Sequence, residues 1–325
     1  VGIALDSIYV SLEMTSAFAP GKVILCGEHA VVYGQPALAL PIHQVQAQAN
    51  VTEISDEKRG HILIQAHDIQ FSKWLHETDE NHPLSRVVQL SLEKIQARDH
   101  PALKLEIQSS IPIASGMGSS AAISIAVIRA LSTHLGSPLS SEEQSQIAFE
   151  VEKIHHGTPS GIDNTVIAYE KPVYFIQGEK PVPFEIGANF HLIIADSGIA
   201  SPTSEAVAKV RQGWSKDKAY YEALFDQMGF IAHSAKRAIK AGQIHVLGSL
   251  LNHNQVLLET LGVSSPELDL LLQAARENGA LGAKLSGAGV GGNIIALVTQ
   301  DSSDAVMKAL TEIGAVNVIL SKVEA

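Results

Sequence analysis

Residues 119–135 are small or apolar on nearly every side of a helical projection, and Gly136 follows in the position of a C-terminal cap. Such a helix is predicted to run through a core, with the rest of the chain laid around it. Directly before it stands PIASGMGSSAA (residues 112–122), where Gly116 and Gly118 precede the hydroxyl pair Ser119 and Ser120. Glycine lets backbone approach a ligand closely, and a helix N-terminus offers unpaired N–H groups with a partial positive charge. A loop of this kind can cradle phosphate. Taken alone it also reads as a Gly-rich turn before a core helix, and no GxxxxGK[ST] sequence is present.

The need for such a local positive site follows from the charge balance. A net charge of −11 argues against a nucleic-acid binder with a broad basic surface, so an anionic ligand has to be met locally. The 325 residues suit two modest domains, and 46% hydrophobic against 18% charged residues is a folded, globular composition. The single cysteine, Cys26, excludes an intrachain disulfide and fits a reducing compartment, which makes the cytoplasm the expected location. The longest apolar run, 121–131, is interrupted by Ser124 and Arg129, so no membrane span is expected. Residues 1–13 lack the features of a signal peptide; Met14 is a candidate start, and the residues before it are candidates for a remnant outside the natural chain.

Along the chain, residues 16–49 read as short strands joined by tight turns at Gly21, Gly27, Gly34 and Pro36. A strand over 61–66, a helix over 83–96 and a half-buried strand over 103–107 follow from their periodicities. After the buried helix come a helix over 141–155, a loop over 157–161 and a helix or strand from Ile162. A boundary is read at 180–183, giving domains of 14–182 and 183–325. The second half reads as a strand (191–196), two long helices (about 203–241 and 244–261) and a helix from Pro266 with Ser265 as N-cap. A Gly-rich turn and strand (283–298), a helix (303–313) and a strand (316–323) complete an α+β pattern without internal repeats.

Three further segments carry chemistry-bearing residues. APGKVILCGEHAVVYG (19–34) sets Lys22, Glu28 and His29 in an apolar, strand-like region, where charge is costly unless paired or used. The plainer reading is that Lys22 snorkels and Glu28 pairs with it. HGTPSGIDN (156–164) puts Asp163 just after a turn, with Glu152 upstream, offering an acid group and an oxygen ligand for Mg²⁺ as phosphoryl transfer requires. The plainer readings are an N-cap for Asp163 and a solvated helix face for Glu152. KLSGAGVGGN (284–293) is a glycine-rich turn before a strand and, alone, reads as a tight bend. No HExxH or paired-His ligand spacing points to a metal hydrolase.

Together, in this order and spacing from about residue 17 to 298, these segments resemble the motifs of the GHMP kinase family. The resemblance implies an α+β, two-domain fold: an N-terminal domain like domain 2 of ribosomal protein S5, binding ATP phosphates, and a ferredoxin-like C-terminal domain completing the site. It implies ATP and Mg²⁺ as cofactors and mevalonate as substrate, phosphorylated on its primary hydroxyl to 5-phosphomevalonate with release of ADP. It makes Asp163 and Lys22 catalytic. Ser115, Gly116, Met117, Gly118, Ser119 and Ser120, with Gly287 and Gly289, hold the phosphates, and residues 286–289 close over them. Glu28, His29 and Thr203 contact the substrate, while Ser120 and Glu152 hold the metal. A homodimer is compatible with the family; nucleic acid and membrane are not expected partners. Phosphomevalonate, homoserine or a sugar stay open as acceptors, as does a ligand-binding relative without chemistry, although the latter has no reason to keep Lys22, Glu152 and Asp163 together. One departure is GAGVGG, where many relatives have an unbroken glycine run: Val290 narrows the backbone freedom of that loop.

Overall fold

The computed structural model describes residues 14–55, 57–112, 116–156, 159–201 and 203–324. The segment expected as several short strands forms two long ones, β1 (Thr15–Cys26) and β2 (Ala37–Glu53), paired antiparallel around a single 3₁₀ turn at Ala30–Tyr33. Only Gly27, Gly34 and Pro36 mark the turn; Gly21 lies inside β1, at an irregularity. Pro20 has no N–H for the ladder, and there the register slips from Pro20 opposite Gln46 to Gly21 opposite Ile42. Beyond that slip both strands are buried on both faces. Leu38, Leu40 and Ile42 face one core, and Ala37 and Ala39 another.

The first sheet is completed by β3 (Ile62–Ala66), β4 (Phe71–Trp74), β5 (Leu103–Ser109), β6 (Val173–Phe175) and β7 (Val182–Pro183). Its order is β4-β3-β5-β2-β6-β7, with β1 paired to β2 and β3 parallel to β5. The helices α1 (Pro83–Lys94), α2 (Ser119–His134), α3 (Ser141–His156) and α4 (Ile162–Tyr169) belong to this half. The predicted core helix is α2: it lies against β1, β2 and β5 and touches the other three helices. The segment from Ile162, readable as helix or strand, is a helix.

The second sheet comprises β8 (Phe190–Asp196), β9 (Gly282–Ser286), β10 (Asn293–Val298) and β11 (Asn317–Val323), antiparallel in the order β11-β8-β10-β9. This is the 4-1-3-2 order of a ferredoxin-like βαββαβ unit. Its first crossover is expanded into α5 (Thr203–Lys216), α6 (Lys218–Lys240), α7 (Ile244–Thr260) and α8 (Pro266–Glu277), and its second is α9 (Gln300–Glu312). The single helix expected over 203–241 is two. Asp217 breaks it by accepting a hydrogen bond from the Tyr220 N–H at 3.2 Å, a side-chain bond that competes with the helical ladder. The last helix starts earlier than expected because Thr299 and Ser302 form a capping box. Ser265 caps α8 as predicted. No helix among the described residues is long and apolar enough to cross a membrane.

Edge strand β9 is covered by α7 and α8 through side-chain bonds rather than by another strand. Asn252 Oδ1 accepts from the Ala283 N–H at 3.0 Å, Gln255 Oε1 accepts from the Leu285 N–H at 2.9 Å, and Arg276 donates to the Ala283 carbonyl at 2.8 Å. Replacing the fully buried Gln255 by Leu strands the Leu285 N–H, and is expected to cost about 1–3 kcal/mol. A urea titration that returned the wild-type midpoint would remove this role.

Candidate active site

Lys22 lies in the doubly buried part of β1 and is 3% exposed. Its Nζ is 2.9 Å from Oδ1 of Asp163, whose side chain is 32% exposed. The plainer expectation, a Lys22–Glu28 pair, is therefore replaced: Lys22 reaches α4, and Glu28 pairs instead with Lys284 of β9. Asp163 is not an N-cap either. Gly161 occupies that position at φ 84°, and Asp163 is the second residue of α4, where the helix dipole favours a carboxylate.

The glycine-rich loop meets this pair directly. The Lys22 N–H donates to the Met117 carbonyl at 3.0 Å, so the loop is bonded to the strand that carries the lysine. Gly118 is the N-cap of α2 at φ 73°. A Cβ there would stand 2.9 Å from Ile167 Cδ1 and 3.1 Å from Lys22 Cγ. Glycine at this position is what lets the positive end of α2, opened by Ser119 and Ser120, lie against both Lys22 and α4. Gly116, at φ 72°, has open space around it. Glu152 of α3 is 5% exposed, so it is no solvated helix face. Ser115 and the side chain of Thr203 lie outside the described residues.

The other wall comes from the turn after β1 and the loop after β9. Gly27, at φ 97°, leaves no room for a Cβ, which would sit 2.5 Å from the Pro36 carbonyl oxygen. The chain turns there and sends Glu28 toward β9. Glu28 Oε1 accepts from the Lys284 ammonium, while Oε2 is buried with no hydrogen-bond partner among the described residues. Burial pushes the Glu28 carboxyl above the ordinary carboxylate range, opposed by the charges of Lys284 and Lys22. Burial likewise raises the Cys26 thiol to about 12 and lowers the His29 imidazole, leaving both neutral at pH 7. His29 Nε2 lies 2.9 Å from the Ala288 carbonyl, which can only accept; Nε2 therefore carries the proton and Nδ1 is free to accept.

Ser286 is buried, and its hydroxyl accepts from the Ile24 N–H at 3.2 Å and donates to the Ile24 carbonyl at 3.0 Å. Its hydroxyl thus ties β9 to β1. Gly289 is held tightly, with a Cβ position 2.1 Å from the Val263 carbonyl oxygen and its own carbonyl accepting from Ser201 Oγ at 2.7 Å. Gly287 is open. Lys284 was not singled out from sequence as a functional residue. The signal was available: a lysine inside an apolar strand pattern needs a buried anion, and Glu28 is the acid of the other apolar motif.

Chemically, the hydroxyl of Ser120 and the carboxylate of Glu152 are hard oxygen donors on helices that pack together, suited to Mg²⁺ shared with phosphate oxygens. Among the described residues no three of His, Cys, Asp and Glu gather to hold an ion by themselves. A lysine–aspartate pair beside the positive end of a glycine-started helix is the equipment of a phosphotransferase.

Known proteins agree with that class. The family models for the GHMP kinases N terminal domain and the GHMP kinases C terminal match residues 83–171 and 235–316. A mevalonate kinase of Pyrococcus horikoshii is 39% identical over 305 residues, spanning 86% of this chain and 88% of the relative. The crystal structure of L. major mevalonate kinase in complex with R-mevalonate superposes with a TM-score of 0.82 at 30% identity, covering 97% of each chain. Methanococcus jannaschii mevalonate kinase gives 0.83 at 25% identity, covering 98% of this chain and 99% of that one. The chain belongs to the GHMP kinase family, and a kinase of this family implies ATP as phosphoryl donor.

Because both charges of the Glu28–Lys284 pair are buried, Lys284→Met leaves a carboxyl without its partner. The expected loss is about 3–5 kcal/mol of folding stability. Chemical denaturation checks it, and an unchanged midpoint would show that Glu28 is held by other means.

Proposed function

We propose that this chain transfers the γ-phosphoryl group of ATP to the primary hydroxyl of mevalonate, giving 5-phosphomevalonate and ADP. The observation that carries the reading is the Lys22–Asp163 pair, seated against Gly118 at the start of α2. The choice of acceptor is supported by the mevalonate kinases to which the chain is similar over most of its length. A cytoplasmic location is part of the reading, supported by the single unpaired Cys26.

In this mechanism the backbone of Gly116, Met117 and Gly118 and the first turn of α2 bind the triphosphate, with Ser115 contributing from the same loop. Asp163 orients the hydroxyl and accepts its proton. The hydroxyl oxygen then bonds to the γ-phosphorus while the bond to the β–γ bridging oxygen breaks, and that electron pair leaves with ADP. Lys22 offsets the negative charge that develops on the attacking and transferring oxygens, a role that a preorganised, nearly water-free cation performs well. Glu28, through its unpaired Oε2, and His29, through Nδ1, offer acceptors to the substrate's polar groups, and Thr203, the first residue of α5, is a further substrate contact in this reading. Gly287 and Gly289 shape the loop that closes over the phosphates. Ser120 and Glu152 would hold Mg²⁺, which supplies charge neutralisation to the phosphates when bound.

A coupled assay for ADP release should respond to mevalonate and not to phosphomevalonate, homoserine or galactose; release with a different acceptor overturns the acceptor assignment. Asp163→Asn is expected to lower kcat by about 10²–10⁴ while leaving ATP affinity nearly intact. Wild-type turnover in that variant would take Asp163 out of the mechanism. Lys22→Met should also lower kcat, through lost charge; an unchanged rate would make Lys22 structural.

A further inference from the structure

One guanidinium stands where the four elements that carry the proposed catalytic groups meet. Arg129 belongs to α2, which opens with Ser119 and Ser120. Its Nη1 donates to the Phe18 carbonyl at 2.8 Å, on the strand that carries Lys22. Its Nε donates to Gln144 Oε1 at 2.8 Å, on the helix that carries Glu152. Its Nη2 donates to the Ala168 carbonyl at 2.9 Å and reaches the Ile167 carbonyl at 3.5 Å, both in the last turn of the helix that carries Asp163. Nη1 also pairs with Glu170, directly after that helix. All five N–H donors of the fork thus have an acceptor.

The partner that depends most on this fork is α4. It has only eight residues, too few to hold together on propensity alone, and its last carbonyls have no partner within the helix. The Glu170 N–H takes the Val166 carbonyl, and Arg129 takes the next two, placing a cation at the negative end of the helix dipole. Asp163 is at the opposite end of the same short rod. A rotation or slide of α4 against β1 therefore changes the Lys22–Asp163 distance directly.

We infer that Arg129 is a positioning residue: by bonding α3, β1 and the C-terminal turn of α4 at once from its place on α2, it sets where Asp163 stands relative to Lys22 and the phosphate loop. This rests on the phosphotransfer reading above for what Asp163 does, but the positioning itself is a property of the fold. Lysine cannot replace it, because a point charge with three donors cannot serve five acceptors spread over three other elements from one plane.

The test uses Arg129→Lys, which keeps charge and stem, alongside Arg129→Ala. Active sites are counted by titration with a non-hydrolysable ATP analogue, and kcat is expressed per competent site with the acceptor that the wild type uses. The expected result is a fall in kcat of about 10–100-fold in both variants, with KM for ATP within about twofold of wild type, since displacements of about an ångström are enough for such losses. In an Asp163→Asn background Arg129→Lys should add almost nothing, because the residue it positions has already been disabled. Full wild-type kcat per competent site in Arg129→Lys, or a loss that multiplies in full with Asp163→Asn, would overturn the inference. Hydrogen exchange supplies an arm independent of the acceptor. Amides of α4 should exchange about tenfold faster in Arg129→Lys than in wild type, with global stability changed less. Unchanged α4 exchange overturns the inference even if the wild type proves inactive on mevalonate, an inactivity that would itself refute only the proposed acceptor.

Discussion

Two charges with almost no water around them, Glu28 and Lys284, join the first sheet to the second. A buried ion pair adds little net stability against an apolar replacement, but breaking it is costly, so it acts as a lock on one arrangement more than as glue. The neighbouring contacts depend on that lock. With Lys284 fixed, Ser286 reaches both polar groups of the Ile24 peptide, and Ala288 meets the His29 ring. The glycine loop that follows is then held over the turn that bears Glu28 and His29. One wall of the cleft is thereby built from residues far apart in the chain, and none of its polar contacts depends on a flexible surface side chain.

The opposite wall is governed by a space rather than a charge. At Gly118 there is room for a hydrogen and no more, since Lys22 and Ile167 fill the volume a side chain would need. The Lys22 N–H reaches the Met117 carbonyl of the glycine-rich loop, while among the described residues β1 pairs with β2 alone. A backbone bond from β1 to the loop and a missing side chain at Gly118 thus bring a helix N-terminus against a buried lysine. The molecule carries net charge −11, so this small positive region has to be assembled from preorganised groups rather than spread over a surface.

Much of this was legible in the sequence. The helix α2 announced itself by being apolar on all sides, and residues such as Gly118, Lys22 and Asp163 stood out because their types are out of place unless used. What periodicity could not show was partnership. Lys22 and Glu28 are near neighbours in sequence, and the economical pairing joined them; only the turn at Gly27 and the approach of β9 reveal that each has a distant partner. The break at Asp217 escaped for a related reason: a one-residue interruption leaves the apolar stripe of α5 and α6 in phase, and the decisive signal is a single side-chain bond. Arg129 was visible merely as a charge interrupting an apolar run, which excludes a membrane span but does not say what the charge is for.

Val290 shows how such local departures fit the whole. It adopts φ 63°, a left-handed conformation that a β-branched residue takes only under constraint. The constraint is present: the Val290 N–H donates to the Val263 carbonyl at 2.8 Å, while Gly289 and Gly291 on either side are pressed against backbone oxygens of residues 263 and 199–200. Two glycines with no room for a side chain clamp a valine that has room but the wrong backbone preference. The Cβ at Val290 therefore leaves the turn intact and removes freedom from it, so that the loop is stiffened by the same residue that breaks its glycine run. The glycines of this segment divide accordingly: Gly287, with open space around it, is the position where backbone can still face a ligand, and Gly289 and Gly291 are where it is anchored to the second sheet's loops.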